Sequence, residues 1–239
     1  MFAIAYGELV QILRNRAVLI TSLLMPVAVS IFIINLRDTF ARIGSLGYVG
    51  AVLVFTIAAF TLYATTVTSL AARRQDRFLK RLRSTAASDP TILSGLVAPV
   101  TGISLLQIAV ILSVFAGIGG AAVQVALLVA GVVASFAMML ALGIATAGIT
   151  KSPEHAQVTA LPLSLGVIAV ASWVGITGTE SLAPLERLLP GGAATELMVN
   201  AWNGDVPVTE SLLLLLPTLA WVIAAVALAS RMFRWEPRR

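Results

Sequence analysis

The residues best suited to bind a partner in this sequence lie in one short basic segment, residues 73–83. The segment holds six of the chain's 16 lysines and arginines and separates two long apolar runs that carry no charge. Read as one helix, it places basic side chains on one face, namely Arg73, Arg74, Arg77, Lys80 and Arg81, and Arg83 is the sixth cation. The opposite face carries Phe78, Leu79 and Leu82. Such a segment either fixes membrane topology as a positive inner loop or docks a cytoplasmic partner, and both interpretations stay open.

The composition places the surrounding elements in a lipid bilayer. The chain is 59% hydrophobic, whereas soluble domains are roughly 45–50% apolar. Only 11% of its residues are charged, against about 25% in a soluble domain. The net charge of +5 is confined to loops, so it indicates membrane topology rather than nucleic-acid binding. Without cysteine and with one histidine, the chain offers no thiol catalysis, no disulfide and no Cys-based or multi-His metal site.

The hydropathy pattern predicts an all-α polytopic membrane protein with one transmembrane domain over residues 1–239. Six apolar runs approach the 20 residues or so that cross about 30 Å of hydrocarbon. They cover residues 17–35, 47–72, 91–117, 122–149, 156–176 and 211–230. Residues 1–16 have the pattern of an amphipathic helix in the membrane interface, and residues 73–89 form a cytoplasmic segment. We expect residues 177–208 to form a short helical segment on the outer side.

The loop charges predict the orientation of these spans. If the N-terminus is inside, thirteen lysines and arginines fall on the inner side and three on the outer side. Cytoplasmic loops carry the excess of positive charge, so both termini are expected in the cytoplasm. The dominance of Arg over Lys, with much Ala, Val, Gly and Leu, is typical of a high-GC bacterial gene.

The spans lack the groups that a self-powered transporter needs. None of the six contains Asp, Glu, Lys or Arg, which secondary carriers, proton pumps and intramembrane enzymes use at depth. Residues 143–152 contain two glycines and a lysine, but their spacing fails the phosphate-binding loop pattern. Energy for uphill transport would therefore come from a partner on the cytoplasmic side.

A few polar side chains lie at membrane depth and could line a pathway. Thr61, Thr65 and Ser69 share one face of the second span. The fifth span carries Ser164, Ser172 and Trp173. Small hydroxyls also pack helices and bond back to their own carbonyls, and this alternative is the stronger one for the threonines.

Several motifs, in order along the chain, resemble those of one transporter family. They are Glu8-Leu9 with Arg14-Asn15 and Pro26, the segment from Arg73-Arg74 to Thr85, Ser152 and Glu154 with Pro162, and Leu189-Pro190 followed by Glu196-Leu197. In these features the chain is similar to the permease subunits of type 2 ABC transporters, the family of drug and polysaccharide exporters. The similarity covers the whole chain.

This resemblance implies a complex of two permease subunits, identical or different, with cytoplasmic ATPases that carry ATP and Mg²⁺. It implies no cofactor in this chain, a coupling role for residues 73–83, and a pathway between subunits lined mainly by the second and fifth spans. The short loops and apolar interior favour a small amphipathic or hydrophobic substrate, drug-like or lipid-like. The alternative is a scaffold or sensor subunit that transports nothing.

The topology has a direct test, because the chain has no cysteine of its own. Single cysteines placed at Ser88 and at Ser181 should react with a membrane-impermeant maleimide from opposite sides of the membrane, Ser88 from the cytoplasm. Labelling of both from the same side would contradict the six-span model.

Overall fold

The computed structural model describes residues 2–14, 16–85, 87–178, 183–233 and 235, and every regular element in these ranges is a helix. The chain begins with α1 (Phe2–Arg14), α2 (Arg16–Leu19), a π-helical turn (Ile20–Leu24), α3 (Met25–Asn35) and α4 (Arg37–Ile43). Next come α5 (Leu46–Gln75), α6 (Phe78–Arg83), α7 (Asp89–Gly119) and α8 (Val125–Ile149). The described part ends with α9 (Pro153–Thr177), α10 (Ala183–Leu188), α11 (Gly192–Asn203) and α12 (Val208–Met232).

Five of these helices are long and apolar enough to cross a membrane: α5, α7, α8, α9 and α12. A sixth candidate is the pair Ser22–Asn35 and Arg37–Ile43, which is bent by 71°. The bend lies at Leu36, whose ψ of 11° departs from the helical value, and the charged Arg37 and Asp38 follow directly. The predicted all-α, polytopic membrane fold is confirmed.

Helix α5 is the central element of the fold. Its most apolar stretch is 89% buried, against 28% in α7 and in α9 and 17% in α12. Small residues let the neighbours approach: Gly47 lies against the backbone of Val199, and Gly50 lies against the ring of Trp202. In a bilayer such close packing, rather than water exclusion, holds helices together.

The outer segment covers the outer half of this core. Helix α11 packs on α5, α8 and α9, and its Trp202 is only 4% exposed. The Trp202 ring stacks on Phe115 of α7 with 4.9 Å between the ring centroids. Residues 179–182, which include the Ser181 labelling position, lie outside the described residues.

The inner ends of α8 and α12 meet at Gly148. A Cβ atom on Gly148 would overlap the backbone carbonyl group of Met232, which cannot rotate away as a flexible side chain could. This contact fixes the end of α8, whose carbonyls form part of the candidate site described below.

We therefore expect Gly148→Ala to lower the free energy of unfolding by about 1–3 kcal/mol, the usual cost of overpacking. The matched control is Gly102→Ala in α7, where a Cβ would meet no atom within 4 Å. Thermal unfolding of the purified variants in detergent measures both. Equal unfolding temperatures would show that the α8–α12 contact is not close.

Candidate coupling site

The sequence predicted that the basic segment is one helix, and the structure shows two. Helix α5 ends at Gln75, and α6 begins only at Phe78. Between them Arg77 has a φ of 56°, the left-handed conformation, which interrupts a right-handed helix. The break interrupts the helical periodicity, so the basic residues before and after it no longer follow one helical face.

Arg73, before the break, binds helix α1. Its Nε lies 2.7 Å from one carboxylate oxygen of Glu8, and a terminal nitrogen donates to the other at 2.9 Å. The same guanidinium also donates to the side-chain oxygen of Gln11. Glu8 is 4% exposed, so this forked ion pair is largely shielded from solvent. It fixes the N-terminal helix to the inner end of α5.

Arg74, the next residue, points to the end of α8. Its guanidinium donates to the carbonyl oxygens of Ala147 at 2.9 Å and Gly148 at 3.2 Å, and also to the carbonyl of Thr150. The last carbonyls of a helix lack partners within the helix, and the negative end of its dipole favours a cation. Arg74 is only 2% exposed, so the prediction that it belongs to an exposed basic face is wrong.

The apolar face of α6 packs inside the chain. Leu79 is fully buried in a small cluster at the inner helix ends, whose other buried members are Leu70, Ile92, Leu96, Val97 and Ala147. Phe78 and Leu82 are partly buried against the same cluster. Leu79 is therefore not available to a partner. These side chains hold α6 in place.

Aromatic contacts complete the packing of α6. The guanidinium carbon of Arg73 lies 5.2 Å from the centre of the Phe78 ring. The guanidinium carbon of Arg81, which also belongs to α6, lies 5.8 Å from the centre of the same ring. Arg83 lies 5.4 Å from the centre of the Trp235 ring. All three distances fall within the range of cation–π attraction.

Four cations of the segment remain at the surface, and we call them the α6 basic surface: Arg77, Lys80, Arg81 and Arg83. All four side chains are exposed, and Arg83 also forms an ion pair with Asp89 at 3.3 Å. The structure thus divides the predicted set of nine coupling residues into two internal arginines, an apolar anchor and this surface.

The predicted pathway residues do not form one group. The Thr61 hydroxyl donates to the Ser22 carbonyl oxygen at 2.7 Å and lies 2.9 Å from the side-chain oxygen of Gln107. Thr65 is buried, Ser69 is half-buried, and both belong to the central helix α5. On α9, Ser164 is buried and its hydroxyl has no hydrogen-bond partner, while Ser172 and Trp173 are half-buried.

A cleft of about 420 Å³ lies elsewhere, between α5, α8, α9 and α12. Its lining is mostly apolar, and it includes the hydroxyl-bearing residues Tyr63, Thr146 and Thr159. The Tyr63 hydroxyl donates to Thr146 at 3.1 Å. None of the six predicted pathway residues lines this cleft. The sequence pattern missed it because its walls come from four helices that are far apart along the chain.

Away from this segment, Arg187 forms a forked pair with Glu196 at 2.7 and 2.6 Å. These hydrogen bonds raise the pKa of the Arg187 guanidinium. The pair joins α10 to α11 and so stabilises the outer segment rather than forming a reactive site.

These features define a class of protein: a multi-pass membrane subunit with a basic helix between two of its spans. The chain belongs to the ABC-2 family of transporter proteins, whose family model matches residues 6–230. No curated protein matches the chain. The chain is thus the transmembrane permease subunit of an ABC transporter, not its catalytic domain, and the family implies a partner ATPase subunit.

The buried ion pair at α1 makes a testable prediction. Glu8→Gln leaves the shielded Arg73 cation without its counter-charge, so we expect the free energy of unfolding to fall by about 3 kcal/mol. The control Asp89→Asn breaks the exposed pair with Arg83 and should cost less than about 1 kcal/mol. Thermal unfolding of both variants gives the comparison. Equal losses would show that the Glu8 pair does not anchor α1.

Proposed function

We propose that this chain is the permease subunit of an ATP-driven exporter that moves a small amphipathic or hydrophobic molecule out of the cell. Two permease subunits, identical or different, would form the pathway in a bacterial cell membrane, with both termini in the cytoplasm. Separate cytoplasmic ATPase subunits would bind ATP and Mg²⁺. Family membership supports the ATPase partner, and the direction of transport and the substrate class are our inference.

The observation that supports this proposal is the α6 basic surface. Helix α6 packs its apolar residues inward, with Leu79 fully buried, while the side chains of the α6 basic surface are exposed. An anchored helix with a charged outer face is suited to receive a partner without unfolding. The exposed cations would steer and orient an acidic ATPase surface, because charge complementarity acts mainly on encounter and register.

The substrate pathway is proposed to lie between the two permease subunits. Helix α5 is mostly enclosed by its own subunit, so Thr61 and Thr65 would act within the protomer. Helix α9 instead exposes an apolar face, on which Val158 is 73%, Leu161 50% and Leu165 51% exposed. Ser172 and Trp173 lie half-buried on the same helix and would add polar groups further along it. An apolar wall with few polar groups suits an amphipathic substrate.

The experiment removes charge from the α6 basic surface. Arg77, Lys80 and Arg81 are changed together to Gln, and the tagged chain is purified from its own host at several salt concentrations. We expect the native chain to carry a vanadate-sensitive Mg²⁺-ATPase. The triple variant should carry at least about tenfold less of it, because three exposed ion pairs together contribute more than 1.4 kcal/mol.

Two controls make this result specific. The double variant Arg37→Gln with Arg42→Gln removes cations from the predicted outer side and should retain the ATPase. Labelling of a cysteine at Ser88 checks that the triple variant keeps its orientation. A native chain that carries no ATP hydrolysis, in any salt, would contradict the proposal and favour a scaffold or sensor subunit.

The substrate class is tested on the reconstituted complex. Small amphipathic amines and single-chain lipids, added to vesicles, should stimulate ATP hydrolysis, whereas soluble sugars and amino acids should not. Stimulation only by polar compounds would overturn the substrate class while leaving the ATPase partnership intact.

A further inference from the structure

Arg74 is the most unusual side chain in the described part of the protein. It is among the largest fully buried side chains, yet it carries a permanent positive charge. We propose that Arg74 is a positioning residue that joins the inner end of α5 to the α8–α9 connection, so that displacement of α6 reaches α9. This inference rests on the proposed function, in which α6 receives the ATPase.

The chemistry of the contact requires arginine. Its guanidinium reaches carbonyl oxygens of Ala147, Gly148 and Thr150, which follow one another around the end of α8. A planar group with five donors in a fixed fork is pre-organised to bind several of these acceptors at once. Lysine would bring the same charge but a single ammonium group, and glutamine would bring no charge.

The α8–α9 connection is short enough to transmit a displacement. Helix α8 ends at Ile149 and α9 begins at Pro153. Thr150, between them, is 1% exposed, and its hydroxyl donates to the Thr146 carbonyl oxygen at 2.8 Å. Proline fixes φ at the first position of α9. A force on the Thr150 carbonyl therefore acts close to the start of α9.

The other side of the link is equally short. Arg74 lies two residues before Asp76 and Arg77, which are the only residues between α5 and α6. Leu79 of α6 and Ala147 of α8 belong to one buried apolar cluster, which places α6 near the end of α8 that Arg74 binds. The connection from α6 to α9 thus passes through few residues, of which Arg74, Thr150 and Leu79 are held by hydrogen bonds or tight packing.

The experiment uses spin labels on single cysteines in the full complex, with the permease labelled before the ATPase is added. One label at Ser84 reports on the end of α6, and one at Val158 reports on the exposed face of α9. Both positions are exposed, and the chain has no other cysteine. Spectra are compared without nucleotide and with ATP, Mg²⁺ and vanadate.

In the native sequence we expect nucleotide to change both spectra. In Arg74→Gln the nucleotide-dependent change at Ser84 should persist, while the change at Val158 should be lost. Arg74→Lys should lose most of the change at Val158. The matched control is Lys151→Gln, which removes an exposed cation from the same connection and should leave both changes intact. Unfolding temperatures are recorded for all three variants. A merely structural role of Arg74 would lower the unfolding temperature and would affect the spectral responses at Ser84 and Val158 alike.

The outcomes that overturn the inference are distinct from failure of the proposed function. A Val158 response that survives in Arg74→Gln, or that disappears together with the Ser84 response, overturns the role of Arg74. If Arg74→Gln does not fold, Arg74→Lys decides the same question. A native chain whose Ser84 label responds while Val158 does not overturns the inference without any substitution. Absence of ATP hydrolysis in the native complex overturns the proposed function, and the inference with it.

Discussion

One end of the helical bundle depends on the hydrogen bonds between the Arg74 guanidinium and the last carbonyls of α8. Buried backbone groups need partners, and the end of a helix leaves four carbonyls without one inside the helix. In this chain a cation from the neighbouring helix supplies donors, and the helix dipole favours its charge. Because Arg74 is buried at this contact, the ends of α5 and α8 are held in register. The α8–α9 connection and the position of α6 both depend on that register.

At the centre of the fold, neutral side chains supply the donors for backbone carbonyls that lack a partner within their helix. Two π-helical turns, Ile20–Leu24 and Ala58–Tyr63, contact each other in adjacent helices. A π-helical turn disturbs the regular ladder of backbone bonds, which leaves carbonyls to be satisfied by other groups. The Thr61 hydroxyl and the Gln107 amide supply donors to the carbonyls of Ser22 and Leu23, at 2.7 and 3.4 Å. The polar groups at membrane depth thus join the first three spans to one another.

The basic segment combines two roles that its sequence presents as one. Arg73 and Arg74 precede the left-handed residue Arg77 and bind α1 and α8 inside the chain. The cations after the break lie at the surface, above an anchor that centres on Leu79. A helix fixed to the membrane domain in this way can pass on a displacement, whereas a loosely attached loop would absorb it. This arrangement fits the proposed coupling to a separate ATPase.

The sequence by itself determined the bilayer environment, the all-helical fold and the family, because hydropathy, the lack of charge in the spans and local motifs are properties of neighbouring residues. It also singled out the segment in which coupling is proposed. Only the tertiary structure decided which cations of that segment are internal. Arg73 and Arg74 find their partners 65 and 73 positions away along the chain, in Glu8 and Ala147, and no local pattern encodes such pairs. The break at Arg77 was equally hidden, because it depends on a left-handed backbone conformation that arginine does not favour by itself.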